Sequence, residues 1–253
     1  TSGGTATSAA DFIVIFKPTV TGFTPGSGVP GTPVVITGTN FDTATAVAFD
    51  TASTTTFTIN SPTRITVTVP SAAKTGKIKV TNPAGAGWSM NTFLVRPTIT
   101  SFSPASGRAG SIVIILGTTF NNALSVTFNG LAATFTITSP TKITAIVPSG
   151  ATSGKIAVTT PGGTTTSATA FKVLPTITSF SPTSGRAGTH VIINGNTFLN
   201  TKSVTFNGVA ANFTINSSTK ITAGVPSGAT SGKIAVTTPS GTATSATNFT
   251  VLP

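Results

Sequence analysis

The sequence predicts an all-β protein of three tandem sandwiches in a rod, preceded by one extra β-strand, and three observations lead there. The chain repeats itself at a long fixed period. Its short β-branched and aromatic runs are separated by turn residues, and no stretch shows the 3.6-residue apolar period of an amphipathic helix. Composition agrees: of 253 residues, 56 are Thr, 26 Gly, 17 Pro and 17 Phe, while only 7% are charged. Low charge with high polarity also describes disordered chains, but those lack the aromatic and β-branched residues that are plentiful here.

Self-comparison sets the domains. Thr98-Ile99-Thr100-Ser101-Phe102-Ser103-Pro104 returns as Thr176-Ile177-Thr178-Ser179-Phe180-Ser181-Pro182, and residues 149–161 return unchanged as 227–239, a period of 78 residues. A diverged copy runs from Thr19 to Pro97, one residue longer between Phe49 and Phe57. The expected domains are therefore 19–97, 98–175 and 176–253, with 1–18 left over. A period this long suits a self-contained domain rather than a solenoid turn.

Within the second repeat, strands are expected at 99–102, 112–116, 125–128, 133–137, 142–147, 155–159 and 168–174, separated by Gly, Pro, Asn and Ser clusters. Seven short strands so spaced are the pattern of an immunoglobulin-like sandwich. The repeats also show which face is which. Val113 and Ile115 recur as Val191 and Ile193 and as Val34 and Ile36, while Ile112 and Leu116 become His190 and Asn194, or Pro33 and Thr37. The constant pair faces the core and the variable pair faces out. Phe102, Phe120, Phe128, Phe135, Ile143, Val147, Ile156, Val158, Phe171 and Val173 complete the expected core.

The run Pro97-Thr98-Ile99-Thr100-Ser101-Phe102-Ser103-Pro104-Ala105-Ser106-Gly107, followed by Gly110, Val113-Ile114-Ile115, Gly117, Phe120 and Val126-Thr127-Phe128-Asn129-Gly130, resembles the IPT/TIG domain, the immunoglobulin-like fold of plexins, some transcription factors and many bacterial surface proteins. The resemblance spans each repeat. In the first, Val29-Pro30 replaces Arg-Ala before the second strand, and Asp50-Thr51-Ala52 replaces Asn-Gly after the third. It implies an early-set sandwich with a binding or spacing role and brings no catalytic residue.

Chemistry is excluded by what is missing. With one His, three Asp (Asp11, Asp42, Asp50) and no Glu, Cys or Tyr, neither a Ser-His-Asp triad nor a multi-His metal site can be assembled. No Asp-rich calcium loop is present. No catalytic, cofactor or metal site is expected, and His190 is read as a solvated surface residue. The net charge of +11 invites a nucleic-acid reading, but the basic residues are spread, with Arg64, Lys142 and Lys220, and Lys77, Lys155 and Lys233, recurring once per repeat. That makes a weak positive stripe, suited to anionic polysaccharide or a cell envelope rather than to specific nucleic acid. Trp88 is the lone Trp, placed in a turn Gly85-Ala86-Gly87-Trp88 matched to Gly162-Gly163-Thr164-Thr165. It is read as a lid on the open end of its sandwich or, alternatively, a glycan platform. Asn212, Asn216 and Asn248 head glycosylation sequons by pattern.

In the leftover segment, Ser8-Ala9-Ala10-Asp11-Phe12 matches 167–171 and 245–249, the start of a closing strand. Phe12, Ile13, Val14, Ile15 and Phe16 are apolar on both faces, where an ordinary closing strand needs one. A lone strand of this kind is an aggregation hazard and must be covered. It is either the tail of an upstream domain or an intermolecular strand that joins a neighbour's sheet edge head to tail, and the double-sided apolarity favours the second. Thr1-Ser2-Gly3-Gly4 is neither an initiator Met nor a signal peptide, so a processed or excised chain is expected. No apolar run is long enough for a membrane helix, and no span is expected. The joins Arg96-Pro97-Thr98 and Leu174-Pro175-Thr176 leave no flexible linker, so the rod should be stiff and on the order of 100 Å long. The expected function is a non-enzymatic extracellular or cell-surface spacer or self-associating filament subunit; the rival is an accessory carbohydrate-binding or adhesin module.

Overall fold

The computed structural model describes residues 14–253. The chain divides into two compact units, Thr1–Arg96, which holds the first sandwich, and Pro97–Pro253, which holds the second and third. Each sandwich sets a four-stranded sheet against a five-stranded one. In the first, the order is Thr19–Thr24, Pro33–Thr39, Arg64–Thr68, Phe57–Ser61, facing Ser27–Gly28, Gly85–Val95, Gly76–Asn82, Ala46–Phe49, Ala52–Thr54. In the second it is Thr98–Ser103, Ile112–Thr118, Lys142–Ile146, Phe135–Ser139, facing Ser106–Gly107, Gly163–Val173, Gly154–Thr160, Ser125–Phe128, Leu131–Ala132. The third repeats this order.

Nine strands thus stand where seven were expected. Ser106–Gly107 pairs in parallel with the last strand, Ser106 opposite Lys172 and Gly107 opposite Val173, and two residues carry no periodicity to read. The strand expected at 133–137 is two: Leu131–Ala132 closes a hairpin on Phe128, and Phe135–Ser139 crosses to the other sheet. The hairpin turns on Asn129 and Gly130, with φ of 47° and 86°, the pair of left-handed residues that a two-residue loop needs and that Asn-Gly adopts at least cost. In the first sandwich Asp50 takes the same role alone, at φ 56°. The last strand starts at Gly163 rather than 168, because its turn is Pro161-Gly162.

The core follows the pattern of the repeats. Val113 and Ile115 are wholly buried, while Ile112 and Leu116 are exposed. Phe171 sits between Phe128, edge-on with ring centroids 5.1 Å apart, and Phe102, tilted at 6.2 Å. Phe93 meets Phe49 at 5.0 Å and Phe23 at 5.9 Å, and Phe249 meets Phe206 at 5.1 Å and Phe180 at 6.3 Å. Such pairs add about 0.5–1.5 kcal/mol each beyond the area they bury. Phe102 and Phe135 pack against the rim of the core rather than inside it, because both belong to edge strands. No helix among the described residues is long and apolar enough to cross a membrane.

Candidate functional site

The last strand of each sandwich carries a bulge, and a buried serine sets it. Ser89, 2% exposed, accepts the Ile78 N–H at 2.9 Å and donates to the Asn91 carbonyl at 2.7 Å. Ser167 does the same between Ile156 N–H and the Thr169 carbonyl, and Ser245 between Ile234 N–H and the Thr247 carbonyl. The hydroxyl replaces the ladder bonds that the bulge removes, so no backbone group is stranded in the core. With Ser89 aimed inward, the residues on either side face water.

Those residues are Trp88, 51% exposed, and Met90, 86% exposed. Opposite Trp88 on the neighbouring strand stands Lys79, whose Nζ lies 5.2 Å from the indole centroid, within cation–π range. Two expectations are corrected here. Trp88 lies inside the strand Gly85–Val95, not in a turn, and it takes no part in the core cluster, so it is not a lid. Its counterparts are Thr166 and Thr244, facing Ala157 and Ala235, one place along from the match made on glycines. The recurring serine, readable as Ser89, Ser167 and Ser245, is the signal that aligns the strands correctly.

A second feature lies at the start of the same strand. Residues 14–18 take part in no strand pairing, while Phe12 and Ile13 lie outside the described residues. Two asparagines of the first sandwich hold the segment: Asn82 Nδ2 donates to the Phe16 carbonyl at 2.8 Å, and Asn40 Nδ2 to the Lys17 carbonyl at 2.9 Å. Asn82 is 3% exposed, and its Oδ1 takes the Ala84 N–H at 3.0 Å. Gly87 must lack a side chain, because the Pro18 carbonyl occupies the place of its Cβ. Counted back from Pro18, Pro97 and Pro175, Val14 and Phe16 stand where Phe93 and Val95, and Phe171 and Val173, stand, two residues on from the register of the Ser8–Phe12 match to 167–171, which sets Val14 at Val173. Those four are at most 2% exposed, whereas Val14 is 58% and Phe16 66% exposed.

The remaining candidates stay apart. His190 is exposed at the start of its strand, opposite Gly224, beside an open groove of about 680 Å³ with no second titratable side chain. Lys77, Lys155 and Lys233 are exposed at matching places on three sandwiches, as the repeat predicts. Between the second and third sandwiches a cleft of about 280 Å³ is lined by amides and hydroxyls, among them Asn129, Asn196 and Asn200, by the apolar Ala151, Leu199 and Pro239, and by no charged group. Among the described residues no three His, Asp or Glu side chains gather where they could hold a metal ion.

Residues 18–95, 97–173 and 175–251 match the IPT/TIG domain family. The chain belongs to the IPT/TIG family. Its three IPT/TIG domains are the three sandwiches, and the segment around Val14 and Phe16 precedes the first. No curated protein matches the chain. Among solved structures, a crystal structure with xylogluco-oligosaccharide is 23% identical over 92% of this chain and 60% of the other, with a TM-score of 0.41. A surface glycan-binding protein from Prevotella bryantii is 21% identical over 61% and 42%, with a TM-score of 0.40. The extracellular region of plexin A4 is 18% identical over 87% and 23%, with a TM-score of 0.31. The chain spans about 60% of the first and less of the other two.

Proposed function

We propose that the protein is a non-catalytic extracellular structural protein, a stiff tandem array of IPT/TIG domains on a cell surface, in which the strand around Phe12–Phe16 joins one copy head to tail to the next. The exposure of Val14 and Phe16 carries this reading, since their counterparts fill the cores of complete sandwiches. Burying one Val and one Phe is worth about 1.5–3 kcal/mol each, which a partner's sheet would recover. The chain also offers acceptor edges. Phe57–Ser61, Phe135–Ser139 and Phe213–Ser217 each end a four-stranded sheet and read FTINS, FTITS and FTINS, with no charge or proline to block strand addition. A lone exposed imidazole and scattered lysines supply no acid–base pair, which supports the absence of catalysis.

Assembly of the purified chain, followed by light scattering and electron microscopy, tests the reading. Filaments or end-to-end oligomers should form, and both removal of residues 1–16 and the double variant Val14→Asp, Phe16→Asp should leave folded monomers. Assembly that persists in both variants, or a wild-type chain that stays monomeric at high concentration, overturns the linking role.

A second reading is favoured by Trp88, which lies on the solvent face of a sheet where the other two domains carry threonine. A half-exposed indole on the solvent face of a sheet is a platform for the apolar face of a sugar ring, and would make the first domain a carbohydrate-binding module. Saturable glycan binding that Trp88→Ala abolishes supports it; binding indifferent to that change removes it.

A further inference from the structure

The first domain departs from its two copies at three outward positions that lie together. Lys79, Trp88 and Met90 stand where the second domain has Ala157, Thr166 and Ala168, and the third Ala235, Thr244 and Ala246. The frame beneath is unchanged, with the same serine-filled bulge in all three. The differences therefore serve no need of the fold that the other two copies share.

Charge narrows what the face can receive. Lys77 and Lys79 alternate with the buried Ile78 and Val80, so both lysines point to the side that Trp88 occupies. The five strands of that sheet contain no acidic residue at all. Lys79 thus has an aromatic neighbour, while the one carboxylate at this sheet, that of Asp50, lies in the hairpin between two of its strands, packed against Gly76 with the Asp50 N–H on the Lys77 carbonyl, and so sits nearer Lys77 than Lys79. An apolar plate beside the Lys79 ammonium complements a ring with one hydrophobic face and a negative substituent. We infer that the Lys79–Trp88–Met90 face binds acidic sugars, uronate residues of an anionic polysaccharide, with the ring on the indole and the carboxylate toward Lys79. This rests on the glycan-binding reading of Trp88 and names its ligand class and a second specificity residue.

Titration of the full chain with polygalacturonate, alginate, a neutral glucan and polyglutamate, at low salt and at physiological salt, tests it. The uronate polymers should bind more tightly than the glucan and retain affinity at physiological salt, where binding to polyglutamate fades. Trp88→Ala, which leaves the charge unchanged, should weaken uronate binding at least tenfold. Lys79→Gln should weaken it several-fold, while Lys220→Gln, an equal loss of charge in the third domain, should leave it unchanged. Equal effects of Lys79→Gln and Lys220→Gln, or polyglutamate bound as tightly as alginate, would mean general attraction to a basic protein and overturn the inference. Neutral glucan bound as tightly, with Trp88→Ala harmful and Lys79→Gln harmless, keeps the platform but overturns the acidic ligand. Binding untouched by Trp88→Ala overturns both.

Discussion

The first sandwich and its two successors share a skeleton but not a surface. All three keep a central Phe with two aromatic neighbours, a serine in the bulge of the last strand, and a left-handed residue at the third-strand hairpin. They part company in side chains that the shared skeleton does not need. The first alone carries Trp88 against Lys79, and it alone has Asn40 and Asn82, where the others have Thr119 and Thr160 or Thr197 and Thr238, to hold the carbonyls of Phe16 and Lys17. The second instead exposes Ile112, Ile114 and Leu116 along one strand. Tandem copies act as an internal control: what is common to them supports the sandwich, and what differs is free to serve recognition.

Breaking the shared part should cost most. Phe93→Ala removes a wholly buried ring from between Phe23 and Phe49, and about 3–5 kcal/mol should be lost from the first domain, read as a lower urea midpoint in Trp88 fluorescence. A loss below roughly 1 kcal/mol would deny that the three aromatic clusters are equivalent supports. Next comes the bulge: Ser89→Ala strands the Ile78 N–H and the Asn91 carbonyl, so a loss of about 1–3 kcal/mol is expected by the same readout. If the change is neutral, the serine is not what carries the bulge. Asn82→Ala removes a buried side chain that only the first domain has. It should cost about 1 kcal/mol and, by freeing the Phe16 carbonyl, speed chymotryptic cleavage after Phe16. Unaltered cleavage would show that the asparagine does not hold the segment.

The smallest effect expected is that of acid. Carboxylates favoured in the folded state give stability that is lost as pH falls, and the chain has only Asp11, Asp42 and Asp50 to lose it through. From pH 7 to pH 3 the thermal midpoint should move by less than roughly 10 °C, and whatever loss occurs should appear in the first domain, which holds Asp42 and Asp50. A collapse of the second and third domains in acid would break the comparison, since neither contains an acidic residue.

Much of this was legible in the chain because repetition compares each position with two others. A residue that stays apolar through three copies while its neighbours change, as Val113 does beside Ile112, must face the core. Less legible was anything that depends on a missing or shifted bond. The two-residue strand Ser106–Gly107 has no pattern of its own, and matching Gly85 to Gly162 instead of Gly163 set Trp88 one place off its cross-strand register.

Fold class, the three repeats, the inward and outward faces of the strands that carry Val34, Val113 and Val191, and the poverty of acid–base chemistry can all be read from the order of residues, because periodicity and composition are local and additive. Tertiary structure alone decided that Trp88 lies on an open sheet beside Lys79, and that Val14 and Phe16 are left uncovered while their counterparts are buried. Both depend on which backbone passes beside which, and cross-strand register is set by bulges and long-range ladder bonds that no run of residues records.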